Sequence, residues 1–298
     1  MALVYSFHGV SGFALRDSSA IGMWWDDAAP FSPYSCHSCV ALLRGKMLGA
    51  RLIINRYLST LWRSASGAAY VTDTFDGLRW TTDIDKGPWT LNDWDVTLNG
   101  VWGTDDDHVF TWGQKTDRSF VMYQGSGATF TPMPSPGEVV RVHGTSPKNL
   151  LAVGAGGLLA HWDGSSWTPI PVDTRETLMG VFMASDDEYY VVGEQGGFFD
   201  GSAHGCRRRL TWRDSILADV AKFEGSVWVA GMRSGLLRLV GNTAELEVVK
   251  PQLKANSLDA RGELLLACPD KVAGTANGKD FFSNGAGYLE KIEKPVPR

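Results

Sequence analysis

Residues that staple small folds or bind metals are scarce here: 298 residues hold four Cys and six His. Cys36, Cys39, Cys206 and Cys268 form no dense framework, which excludes a disulfide-dense scaffold and agrees with a reducing compartment. A long apolar run is also missing. The opening Met1 to His8 has no Lys or Arg and no sustained apolar core, so neither a secretory signal nor a membrane span is expected, and the cytoplasm is the default location. Positive charge is not in excess either. Lys plus Arg number 28 against 33 Asp plus Glu, a net charge of -5. That balance argues against direct nucleic-acid binding and favours a basic protein partner.

What the chain does have is punctuation and bulk: 34 Gly, 13 Pro and 12 Trp. Gly and Pro break a chain into short turns, and Trp packs between sheets, so many short strands are expected. A self-comparison supports this. The segments Leu98 to Gly113, Val139 to Gly154 and Leu178 to Gly193 align, with Gly113, Gly154, Gly193 and Gly231 spaced by 41, 39 and 38 residues. Within each unit the apolar clusters are too short for helices and are separated by turn residues, which predicts four strands per unit. Such a unit buries its faces only against its neighbours, and ring closure removes the end blades.

The expected fold is therefore all-β: a single seven-bladed β-propeller of four-stranded antiparallel blades. Six blades are placed at about 42–86, 97–133, 137–171, 176–211, 214–250 and 254–285. The seventh would combine three N-terminal strands in 1–41 with one strand from 287–298. A six-bladed ring with the first 41 residues packed outside is the alternative.

Asp76-Gly77, Asp163-Gly164 and Asn277-Gly278, each followed by an aromatic residue, are placed before the last strand of their blades. These turns resemble the Asp-box turns of sialidase-type and photosystem-assembly-type propellers, and the Trp-Gly-rich repeats of bacterial propellers. The resemblance covers about residues 42–285 and implies architecture, not catalysis. The sialidase site it brings to mind needs an arginine framework, which Arg44, Arg141 and Arg261 do not supply.

Other candidate groups have structural readings. Asp105-Asp106-Asp107-His108 could bind a metal or move protons, but it aligns with the hairpin turns 146–149 and 185–188 and is expected to be a solvated turn. Cys36-His37-Ser38-Cys39 has half-zinc-site spacing without a second pair, so no metal and no cofactor is expected. His143 aligns with Trp102 and Phe182 and is expected to be packed or hydrogen-bonded. Arg207-Arg208-Arg209 reads as a strand edge. Trp24-Trp25-Asp26-Asp27, Trp89, Trp94 and Trp102 raise carbohydrate stacking.

Specificity in a repeat framework sits in its variable turns. Those following the second strands present Gln114, Lys115, Ala155, Glu194, Gln195, Met232, Arg233, Asp270 and Lys271, which together with Asp105, Asp106, Asp107, Trp89 and Trp94 are the candidate partner-binding residues. No catalytic set assembles from sequence. The expectation is a non-enzymatic, protein-binding bacterial propeller, specifically an immunity protein that neutralises a secreted antibacterial toxin such as a nuclease. A glycan-binding propeller is the first alternative, and a glycan-processing hydrolase or lyase the second.

Overall fold

A computed structural model describes residues 2–45, 47–202, 205–212 and 215–292. The chain forms seven four-stranded antiparallel sheets, the architecture of a seven-bladed β-propeller. It divides into two compact units, 1–101 with 257–298, and 102–256. Among the described residues no helix is long and apolar enough to cross a membrane.

The first unit holds three blades. Blade 1 comprises Leu3–Ala14, Asp17–Asp26, His37–Arg44 and Met47–Ile54; blade 2 comprises Leu58–Arg63, Ala69–Asp73, Gly77–Thr81 and Thr90–Asp93; blade 7 comprises Ser257–Asp259, Leu264–Cys268, Lys271–Thr275 and Phe282–Gly285. In the second unit, blade 3 comprises Val96–Gly103, Val109–Lys115, Phe120–Ser126 and Thr129–Met133, its first strand running across the boundary at residue 101. Blade 4 follows with Val139–Ser146, Asn149–Gly154, Leu158–Trp162 and Trp167–Pro169. Blade 5 has Leu178–Ser185, Glu188–Gly193, Gly197–Ser202 and Gly205–Thr211, and blade 6 has Asp219–Phe223, Ser226–Ala230, Leu236–Leu239 and Leu246–Lys250.

The second strands explain why the blades stack. Side chains alternate between the two faces of a strand, and here both faces are covered by neighbours, so the middle of the run is mostly apolar. In blade 4, Leu150 and Ala152 join the core shared with blade 3, while Leu151 and Val153 join the core shared with blade 5. Blade 1 repeats the arrangement on its third strand: Cys39, Ala41 and Leu43 pack toward blade 7, and Val40 and Leu42 toward blade 2. Full burial of such a side chain contributes roughly 1.5–3 kcal/mol.

The origin of the first two blades differs from the sequence expectation. All four strands of blade 1 come from residues 3–54, with no C-terminal strand among the described residues, and blade 2 occupies 58–93 rather than 42–86. The C-terminal segment instead forms a short 3-10 turn, Ala286–Lys291. Leu289 of that turn is 1% exposed among Phe7, Val10 and Trp24 of blade 1. Gly22 makes room for it, since a Cβ at that position would lie 2.7 Å from the Leu289 side chain. Blades 7 and 1 also meet directly, through Phe7 N–H to Pro269 O and Glu263 N–H to Phe13 O. The remainder of the expected closing strand, 293–298, lies outside the described residues.

The Asx-Gly turns are not equivalent either. Asp163-Gly164 and Asn277-Gly278 precede fourth strands, but Asp76-Gly77 lies between the second and third strands of blade 2, at the opposite end of its sheet. The same local turn chemistry serves both ends of a blade.

Candidate interaction surface

Five aromatic side chains gather at one edge of blades 1 and 2: Trp25, Phe31, Tyr34, Tyr57 and Phe75. The connection between the second and third strands of blade 1, residues 27–36, supplies two of them and is shaped by Ser32. The Ser32 carbonyl accepts from the Ser35 and Cys36 amides at 3.1 Å, and its hydroxyl accepts from Tyr34 N–H at 3.3 Å. This tight turn holds Tyr34 75% exposed and Phe31 45% exposed.

Tyr57, in the link from blade 1 to blade 2, ties the surface together. Its amide donates to Pro33 O at 3.2 Å, and its carbonyl accepts from Thr74 N–H at 3.4 Å. Its ring stacks on His8 at 5.0 Å and stands edge-on to Phe31 at 6.0 Å. Phe31 in turn meets Trp25 at 5.3 Å, and Tyr34 stacks on Phe75 at 4.4 Å. His8 is the floor of the stack. Its Nε2 donates to Leu58 O at 2.6 Å, its Nδ1 is buried with no hydrogen-bond partner among the described residues, and burial pushes its pKa down to about 4.

Charge frames the aromatics. Asp27 is exposed and Asp26 half-buried where the 27–36 connection begins, and Arg56 pairs with Asp76 at 2.5 Å. Trp94, one of the sequence candidates, donates its backbone N–H to Asp76 O at 3.4 Å and so lies beside this surface. Large exposed aromatics held in fixed stacks are the composition of interface hot spots, since little side-chain entropy remains to be lost on contact.

The remaining sequence candidates are dispersed. Glu194 and Gln195 are exposed in the turn after the second strand of blade 5, which is organised by buried Glu176. Glu176 Oε2 accepts from the Gln195 and Gly197 amides at 2.9 and 3.3 Å, while Oε1 accepts from Arg208 at 2.9 Å. Glu194 itself accepts from Thr177 N–H at 3.1 Å. In blade 6, Met232 and Arg233 form a 3-10 turn, with Met232 at φ 46°. Gln114 is used within its own hairpin, donating to Arg118 O at 3.0 Å, and Lys115 accompanies it there. Asp270 and Lys271 pair with each other at 2.7 Å. Trp89 packs against the core between blades 1 and 2.

Asp105, Asp106 and Asp107 occupy the hairpin between the first and second strands of blade 3, at the sheet end opposite Gln114. Asp105 accepts from Asp107 N–H at 3.0 Å and His108 Nδ1 at 2.7 Å. Partial burial raises its pKa, but these bonds together hold the carboxyl below its usual range.

The other singled-out groups have partners. His143 accepts from Met183 N–H at 3.1 Å through Nδ1 and lies between Trp102 and Phe182, at 5.2 and 4.5 Å. Arg207 and Arg209 bind Asp200, while Arg208 turns to the other face and lies over Phe199 at 4.6 Å. Arg44 pairs with Asp17 and Asp85, Arg141 with Asp219, and Arg261 with Asp259. In Cys36-His37-Ser38-Cys39, the Cys36 thiol donates to Pro33 O, and burial drives the Cys39 thiol up to about 12. Among the described residues no three His, Cys, Asp or Glu side chains group as a metal site.

Sequence reading reached Trp25 and Trp94 but missed Phe31, Tyr34, Tyr57 and Phe75. The available signal was Phe31-Ser32-Pro33-Tyr34, two aromatics within a turn-forming stretch too polar to be a strand.

No family model matches the chain, and no curated protein matches it. Solved structures do. The WD40 β-propeller domain of Doa1 is 9% identical with a TM-score of 0.66, covering 90% of this chain and 91% of its own. Saccharomyces cerevisiae Sqt1 is 9% identical with a TM-score of 0.63, covering 93% and 85%. YCF48 bound to D1 peptide is 12% identical with a TM-score of 0.56, covering 76% and 80%. What the chain shares with all three is the β-propeller fold.

Proposed function

We propose that this protein is a non-enzymatic scaffold that captures an extended, basic segment of another protein on the aromatic edge of blades 1 and 2. The observation that carries this reading is the exposure of Phe31 and Tyr34 on rings already stacked by Tyr57 and Phe75. The exposed Asp27, the half-buried Asp26 beside it and the net charge of -5 favour a basic partner. The structural neighbour YCF48 is bound to D1 peptide, which supports a peptide ligand for this chain. The specific partner we propose is a secreted antibacterial toxin, such as a basic nuclease, neutralised in the bacterial cytoplasm.

Co-expression with the products of adjacent genes tests this. The expected outcome is a stable complex with one of them that protects cells from its toxicity. Phe31→Ala combined with Tyr34→Ala should weaken the complex by at least about tenfold, on the order of 1.4 kcal/mol, with no change in melting temperature. Unaltered affinity in the double variant would remove the aromatic edge from the site. Absence of any protective complex would remove the toxin partner.

A further inference from the structure

We propose a second ligand site, for a small apolar amine, in a cavity between blades 4 and 5. The cavity measures about 450 Å³ and adjoins another of about 660 Å³. Both fall within the roughly 300–1,000 Å³ typical of small-molecule sites. Its apolar wall is made by Leu151, Ile170 and Met183, all belonging to the core between the two blades.

The polar groups converge on this wall. Tyr189 lines both cavities and is 2% exposed, and its hydroxyl lies against the thiol of Cys206, which lines the adjoining cavity. A thiol is a weak hydrogen-bond partner, so the buried hydroxyl keeps the capacity for a stronger bond to a ligand. Tyr189 is held there by its cross-strand partner Gly201, because any side chain at 201 would collide with the phenol ring.

His161 and Asp186 define the charge the site prefers. The Asn149 side-chain amide donates to Thr145 and Asp186, so its carbonyl oxygen accepts from His161 Nε2 at 2.7 Å. That bond places the imidazole proton on Nε2 and leaves Nδ1 as an acceptor. The cavity therefore offers an imidazole acceptor, the Asp186 carboxylate and the Tyr189 hydroxyl beside an apolar wall. A protonated amine on a flat apolar body satisfies all of them, whereas a carboxylate ligand would be repelled by Asp186.

Tryptamine is a suitable probe, with tryptophol as its neutral counterpart, each titrated into the full chain by calorimetry. Tryptamine should bind about tenfold or more tightly than tryptophol. Asp186→Asn should abolish that difference. Tyr189→Phe should weaken tryptamine about fivefold without lowering the melting temperature appreciably, since the protein itself gives up only a weak contact with the Cys206 thiol. Equal binding of the two probes, no saturation by tryptamine, or unchanged affinity in both variants would overturn the proposal. The site owes nothing to the aromatic edge, so Phe31→Ala with Tyr34→Ala should leave tryptamine binding as it is.

Discussion

At the scale of single residues, two buried groups control more than their own positions. His8 is neutral in the folded state because burial pushes its pKa from 6.5 down to about 4, while the unfolded chain protonates it near the ordinary value. The unfolded state therefore binds more protons between these values. The stability tied to neutral His8 is complete above pH 6.5 and is lost as pH falls toward 4, amounting to roughly 3 kcal/mol. Urea unfolding from pH 7.5 to 4 should show this slope, and His8→Gln should flatten it. Glu176 acts differently: one carboxylate satisfies the Gln195 and Gly197 amides together with Arg208. Glu176→Ala would strand all three donors, and we expect a loss of about 3 kcal/mol or more, read from the urea midpoint at unchanged slope. The Glu194-Gln195 turn should loosen in the same variant, with faster amide exchange than the rest of blade 5.

At the scale of elements, the way the chain ends join is the informative feature. A propeller that borrows one strand from the opposite terminus is held by a ladder of backbone hydrogen bonds, whereas blade 1 here is continuous in sequence. The join relies on face-to-face packing between blades 1 and 7 and on the Ala286–Lys291 turn with Leu289 inserted beside Phe7 and Trp24. Leu289→Ala should therefore cost about 2–5 kcal/mol, as for other fully buried leucines, and lower the thermal midpoint accordingly. Gly22→Leu should be comparably harmful because the added side chain would compete for the Leu289 site. The misplacement of this blade from sequence has a physical cause. Leu3–Ala14 and Asp17–Asp26 are longer than the repeat's usual strands, and residues 27–36 hold two prolines like a link between blades. Tyr288 and Leu289, placed in the closing strand from sequence, belong to a 3-10 turn.

At the scale of the whole molecule, acidity and the aromatic edge make separable contributions to partner capture. Net charge acts at long range on encounter, and stacked rings act at contact on residence. Raising salt from about 50 to 300 mM should slow association with a basic partner several-fold, whereas the Phe31→Ala, Tyr34→Ala variant should mainly speed dissociation, both measured by surface plasmon resonance. The same division runs through what each level of description determines. The sequence alone pointed to four-stranded blades, seven of them with six as the alternative, because alternation, apolar runs and Gly turns are local properties that recur at 38 to 41 residues; the structure has seven. It also placed His143 beside Trp102 and Phe182, since aligned positions in adjacent blades become neighbours. Tertiary structure decided where the first blade begins, which carboxylate organises the Glu194 turn, and that residues 25, 31, 34, 57 and 75 form one surface. Most of those are contacts between segments separated in sequence, such as Phe31 with Tyr57 and Tyr34 with Phe75, and a local pattern such as Phe31-Ser32-Pro33-Tyr34 does not encode its partners; they exist once packed blades bring their turns to a common edge.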